Sequence, residues 1–178
     1  MDLTKAILPD TVEVDGRHYQ IHTGHSYWFR FSQLLGGKRY LSEFDHLYIG
    51  DMPEDRQAGF QALAGFYQET KEVPRTEGEP GDRVIDYEID SDLIYAAILQ
   101  CYGVDLAEKQ IHWHKVRAML AGIIGTRMND IISYRSASDT KNKEIQRMKR
   151  IWALPVEESE EDKERLAAFA AQFHNAQF

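Results

Sequence analysis

Seven histidines, one cysteine and a surplus of carboxylates are the groups in this 178-residue chain that could do chemistry, and a metal site is what they would most readily build. Their spacing opposes it. His112 and His114 are two apart in a helical segment, about 200° around its axis, and side chains so placed do not grip one ion. His18 and His22 share a strand face but stand about 13 Å apart at the ordinary strand rise. His25 and His46 meet only if the tertiary fold brings them together, and no HExxH-like pattern is present. Cys101 is the single cysteine, which leaves no internal disulfide, no CxxC pair and no cysteine-based zinc site. On an apolar helix face it reads as a small buried thiol. Gly36-Gly37-Lys38-Arg39 is too short for a phosphate loop, and no GxSxG elbow, Walker loop or GxGxxG follows a strand. Asp86 and Glu88 could serve a glycosidase or a hard metal, but isolated carboxylates on an acidic chain ordinarily solvate it. Glu13 facing His18 reads as a cross-strand pair. The residues therefore predict no catalytic group, no cofactor and no metal ligand.

The elements that carry these groups are those of a soluble protein. An apolar share of 43% and a charged share of 28% supply one well-buried core and argue against wholesale disorder. The net charge of −8, from 21 basic and 29 acidic side chains, repels nucleic-acid phosphates and anionic membrane surfaces alike. MDLTKAILPD lacks the layout of a signal peptide, and no apolar run approaches the ~18 residues of a membrane span. The expectation is a cytosolic chain that binds neither nucleic acid nor membrane.

Asp15-Gly16 tolerates the positive φ of a type I′ turn and predicts a hairpin. In that register Val12, Val14, Tyr19 and Ile21 share an apolar face, while Glu13, His18, Gln20 and His22 share a wet one. Tyr27, Trp28, Phe31, Leu34 and Leu35 repeat at helical spacing over His25 to Leu35; Gly36-Gly37 can close that helix, and its stripe is expected to cover the hairpin. Leu41 to Ile49 fits a short helix or a strand. Pro53 suits the first turn of a helix bearing Phe60, Leu63, Ala64 and Tyr67. KEVPRTEGEPGDR, residues 71–83, predicts an exposed loop. Ile85, Tyr87 and Ile89 alternate with Asp86 and Glu88, which predicts a third strand for the sheet.

Asp90 or Ser91 can cap the next helix and Gly103 can end it, with Leu93, Ile94, Ala97, Ile98 and Cys101 on one side. Trp113, Val116, Leu120 and Ile123 mark another, ending near Gly122 and Gly125; Ile131, Ile132 and Tyr134 mark a third. Ser138 or Asp139 can cap a fourth helix, in which Ile145, Met148 and Trp152 face one way and five basic side chains solvate the rest until Pro155 stops it. After it come the acidic run EESEEDKE and a last stripe, Leu166, Phe169 and Phe173. The predicted fold is α+β and mainly helical: a small antiparallel sheet covered by a helix cluster. Residues 1–155 form one body, and residues 156–178 an acidic helical tail.

LIYAAILQCYG (Leu93 to Gly103), HWHKVRAMLAGI (His112 to Ile123) and DIISYR (Asp130 to Arg135), preceded by LPDTVEVDGRHYQI (Leu8 to Ile21), together resemble the bacteriophage gene-product-fifteen family of long-tailed phages and prophages. The chain departs from the pattern at His114 and Val116, where the resemblance implies aromatic side chains. What it implies is a non-enzymatic tail assembly chaperone in the host bacterial cytoplasm, with the tape measure protein, and with it other tail proteins or further copies of the chain, as partners. Trp152, Leu166, Phe169 and Phe173 are the candidate partner-binding residues, because their stripes lie near the C-terminal end where the core does not need them. Two other readings stand beside this one. The chain could be a structural part of the tail tube or its terminator. It could also bind DNA by a helix-turn-helix around Gly122 to Gly125, with Arg127, Asn129 and Arg135 pointing outward.

Overall fold

The computed structural model describes residues 7–35, 40–68, 84–138 and 141–155. Strands β1 (Thr11–Val14) and β2 (Arg17–Gln20) pair antiparallel, with Val12 opposite Tyr19, Glu13 opposite His18 and Val14 opposite Arg17. Asp15 and Gly16 turn the chain at φ of 51° and 75°, the left-handed conformation the hairpin requires. Val12, Val14, Tyr19 and Ile21 are buried and Glu13, His18 and Gln20 are exposed, so the predicted register and its two faces both hold.

The predicted third strand does not form. Asp86 Oδ1 accepts the backbone N–H groups of Glu88 (2.7 Å) and Ile89 (2.8 Å), folding residues 87–90 into a turn with Asp86 buried and Ile89 exposed. A short acidic side chain here outcompetes the sheet for its own backbone. The edge of the hairpin is met instead by Tyr48: His22 N–H donates to Leu47 O (2.8 Å) and Ile49 N–H to Gln20 O (2.9 Å), an antiparallel bridge at Ile21 and Tyr48. Tyr48 comes from the end of a 3₁₀ helix, Leu41–Leu47, which decides the ambiguity of that stretch and buries Phe44 and Leu47.

Helix α1 (His25–Leu35) buries His25, Trp28, Phe31 and Leu34, leaving Tyr27 half-buried and Leu35 exposed. It does not provide the main cover of the hairpin as predicted. Helix α2 (Arg56–Gln68) lies against β1, and α1 sits between the 3₁₀ helix and α4 (Trp113–Gly122). The reason is aromatic: Trp28 and Phe31 find Phe66 and Tyr67 of α2 at ring separations of 4.6 and 5.1 Å. Helix α2 starts three residues after Pro53, where Asp55 Oδ1 accepts from Gln57 N–H (2.9 Å) and Ala58 N–H (3.0 Å).

Helix α3 (Ser91–Tyr102) ends at Gly103, in the left-handed region at φ 62°, with its N–H on Leu99 O. Helix α5 (Arg127–Ser136) is capped by Thr126 and Asn129. Helix α6 (Lys143–Ile151) is capped by Asn142 rather than by Ser138; Asp139 lies outside the described residues, as do Gly36-Gly37, the 71–83 loop and residues 156–178.

Trp113 organises the centre. It is fully buried, and its ring stacks on Tyr67 at 5.1 Å and meets Phe29 and Tyr87 edge-on. Its indole N–H donates to Tyr67 O (3.0 Å), and its backbone N–H donates to Thr23 O (2.7 Å), part of a second bridge that pairs Gly24 with His112. His114, where the family resemblance implies an aromatic, is buried and stacks on Phe66 at 4.4 Å, so an imidazole takes the ring's place. Trp113→Ala is expected to cost about 3–5 kcal/mol in urea unfolding. Trp113→Phe should cost less, because Arg117 still donates to Tyr67 O. An alanine variant within about 1 kcal/mol of the parent would contradict this assignment.

Candidate partner-binding surface

Among the described residues, no group of three or more His, Cys, Asp or Glu side chains is placed to hold a metal ion. His22, His25, His46, His112 and His114 are engaged with backbone or rings. His112 is the N-cap of α4 and not a residue of its first turn, so its ring comes within 5.0 Å of the His114 ring instead of pointing away as helical spacing predicted. Its Nδ1 accepts from His114 N–H (3.1 Å), its Nε2 contacts Pro9 O (2.9 Å), and His114 Nε2 contacts Phe66 O (2.9 Å). His25 and His46 are not brought into one site: His25 Nδ1 accepts from Ile111 N–H (3.1 Å), while His46 and His22 flank the ring of Tyr27. Burial pushes the His25 imidazole below its ordinary value of 6.5. Burial also raises two phenols to about 12, Tyr48 with help from Asp45 and Tyr87 with help from Tyr67.

The most constrained polar contact joins Arg135 to Asp90. Arg135 Nη1 and Nη2 donate to the two carboxylate oxygens at 2.6 and 2.9 Å, with both side chains almost wholly buried. The same guanidinium donates to Val84 O (3.0 Å) and, through Nε, to Trp152 O (2.6 Å). Asp90 Oδ2 also accepts from Asp86 N–H (2.9 Å). Asp90 holds the N-cap position of α3 but makes no side-chain cap bond; Arg135 and Asp86 take its carboxylate instead. The outward-facing trio expected of a helix-turn-helix is not available in this arrangement. Arg135 is buried, and Asn129 spends its amide on Thr126 and on Ile123 O (3.0 Å).

Of the four candidate residues, Trp152 is described. It is half-buried at the C-terminus of α6, with the Arg127 guanidinium 5.2 Å from its ring centre and its buried indole N–H without a hydrogen-bond partner among the described residues. Leu166, Phe169 and Phe173 lie outside the described residues. The structure adds an apolar patch that sequence reasoning passed over. Leu99 and Tyr102, each 40% exposed, leave the outer side of α3, and Ile124, 80% exposed, follows α4. Tyr102 O–H donates to Met119 O (2.9 Å) over Gly122, where a Cβ would come within 2.6 Å of that hydroxyl. Cys101 contacts Ile124 O at 3.7 Å and is exposed, contrary to the buried thiol expected, because this last turn of α3 runs beyond Ile94, Ala97 and Ile98. Part of the signal was present: with Leu93, Ile94, Ala97 and Ile98 turned inward, Leu99 is an apolar side chain left on the other side, whereas Tyr102 continues the Ile94 and Ile98 row and is exposed because it stands in the last turn of α3.

Two outcomes follow from these contacts. Arg135→Met strands a buried carboxylate and is expected to destabilise the protein by about 3–5 kcal/mol, whereas Asp90→Leu/Arg135→Met recovers most of that loss. A double variant as unstable as the single one would contradict the ion pair's role. For His25 the folded value lies below the unfolded one, so its contribution is fully present above pH 6.5 and is lost as pH falls through the folded value. The urea midpoint of the parent should therefore drop between pH 7.5 and 5 by more than that of His25→Gln. Equal drops would show that His25 is not the group responsible.

A search of curated proteins and a search of solved structures each found no significant match to the chain. The family model described as Bacteriophage Gp15 protein matches residues 5–154, which takes in the hairpin, both bridges and the Asp90–Arg135 pair. By that match over most of its length, the chain belongs to the bacteriophage gene-product-fifteen family.

Proposed function

We propose that this phage protein is a non-enzymatic tail assembly chaperone that works in the host cytoplasm by binding the tape measure protein during tail morphogenesis. Family membership carries the reading. Two physical features support it. A protein that shields apolar helices needs apolar surface of its own, and Leu99, Tyr102 and Ile124 supply some on the body. The stripe of Leu166, Phe169 and Phe173 offers more on the C-terminal segment. The net charge of −8 helps to keep such a carrier in solution while loaded. No helix among the described residues is long and apolar enough to cross a membrane, and the client would be met in water.

Co-expression with the tape measure protein tests this. The full chain should hold the client in a soluble complex, and Leu166→Ser/Phe169→Ser/Phe173→Ser should lose at least ~10-fold in recovered complex, the equivalent of ~1.4 kcal/mol. A client as insoluble with the full chain as without it would refute the function. A triple variant that recovers the client fully would remove the C-terminal stripe from the binding surface.

A further inference from the structure

Helix α6 and the residues before it carry a concentrated positive charge in an otherwise acidic protein. Lys141 to Arg150 holds five basic residues and one acidic residue in a chain whose net charge is −8. Lys143, Arg147 and Arg150 recur at i, i+4 and i+7 and are exposed, forming one cationic stripe. Ile145, Met148 and Trp152 recur on the opposite side and are half-buried. That second side is the seated one: α6 packs on α5, Lys149 Nζ donates to Ala137 O (2.7 Å), and Arg135 holds Trp152 O. Glu144, 3.6 Å from Arg147, is the carboxylate among the described residues that stands against the cationic stripe. Among the described residues, Lys143 and Arg150 meet no carboxylate.

The chain leaves α6 from a fixed point, since Trp152 is tied to Arg135 through its carbonyl and lies under Arg127 through its ring. Two residues after Leu154 and Pro155 comes EESEEDKE, residues 157–164, with six carboxylates and one lysine. Helix α6 is nine residues long, about 14 Å at the helical rise, so a chain that turns back at Pro155 brings these carboxylates alongside the whole stripe. Opposite charge, short reach and a fixed exit converge on one occupant.

We propose that the outer face of α6, formed by Lys143, Arg147 and Arg150, is an intramolecular docking surface for the acidic segment 157–164 of the same chain. This is independent of the tape measure reading. Its consequence is that the only strongly basic face among the described residues is neutralised from within and withheld from phosphates, while the segment that follows, bearing Leu166, Phe169 and Phe173, is anchored beside the body.

Zero-length carbodiimide coupling of the full chain, prepared as a mixture of ¹⁴N and ¹⁵N protein, is the test. Amide cross-links from Lys141 or Lys143 to Glu157–Glu164 are expected within single-isotope chains. They should fall several-fold in Arg147→Glu/Arg150→Glu and in ~1 M salt, where the screening length is ~3 Å. A second measurement does not touch the folded body: in full chains carrying Glu157→Gln, Glu158→Gln, Glu160→Gln and Glu161→Gln, backbone amide resonances of α6 should shift while those of α1 to α4 stay in place. Absent cross-links, or cross-links that mix isotopes in the proportion of two separate chains, would overturn the proposal. Unmoved α6 resonances in the glutamine variant would overturn it too. Retention of duplex DNA by the parent at physiological salt would likewise overturn it, because the face would then be open to an external polyanion.

Discussion

A buried guanidinium with two carboxylate oxygens and two backbone carbonyls around it holds this protein's second half together. Arg135 reaches back 45 residues to Asp90 and up to Val84 O, and forward to Trp152 O, so one side chain ties the approach to α3, the end of α5 and the end of α6. Removing two charges from water is costly, and the attraction compensates only when geometry is good and the remaining hydrogen-bonding capacity is met. Here both conditions hold: the fork is bidentate, and Asp90 takes an additional N–H from Asp86. The arrangement is unforgiving in a useful way, since a shift of any one segment would strand a charge in the interior.

The first half is held differently. Its stability rests on rings, with the fully buried Trp28 and Trp113 each stacked on Tyr67 and each indole N–H placed on a backbone carbonyl. The two halves meet at the Gly24–His112 bridge, where His25 N–H donates to Ile111 O and Trp113 N–H to Thr23 O. A neutral His25 fits this junction, because its Nδ1 is needed as an acceptor for Ile111 N–H. The tail of the body therefore depends on an ion pair and its head on aromatic packing, with a short backbone ladder joining them.

What could be read from the sequence was what local chemistry decides. The hairpin register, the helical stripes and the Gly103 stop follow from turn residues and periodicity within a dozen positions. The failures share a cause. Ile85 to Ile89 alternates like a strand, but Asp86 captures its own backbone and Asp90 is wanted by a residue far along the chain. Arg135 looked like an outward base-contacting side chain for the same reason: its partner is distant in sequence, and no spacing rule announces it. Cys101 continues an apolar stripe that the neighbouring elements do not reach, so periodicity alone overstated its burial. Of the candidate partner-binding residues, Trp152 was offered as one the core does not need, yet it is half-buried under Arg127, a neighbour 25 positions away that no spacing rule announces; Leu99 could be read as an apolar side chain facing out, whereas Tyr102 and Ile124 needed the packing of α3 against α4 before they could be seen.

The central claim is that this molecule acts through apolar surface offered to another polypeptide. Hydrogen exchange of the full chain, alone and with the tape measure protein, addresses it most directly. The account predicts slowed exchange at the α3 end around Leu99 and Tyr102, at Ile124 and in the C-terminal segment, with the hairpin and the Asp90–Arg135 region unchanged. Exchange that is the same in both samples at all of these positions would contradict it.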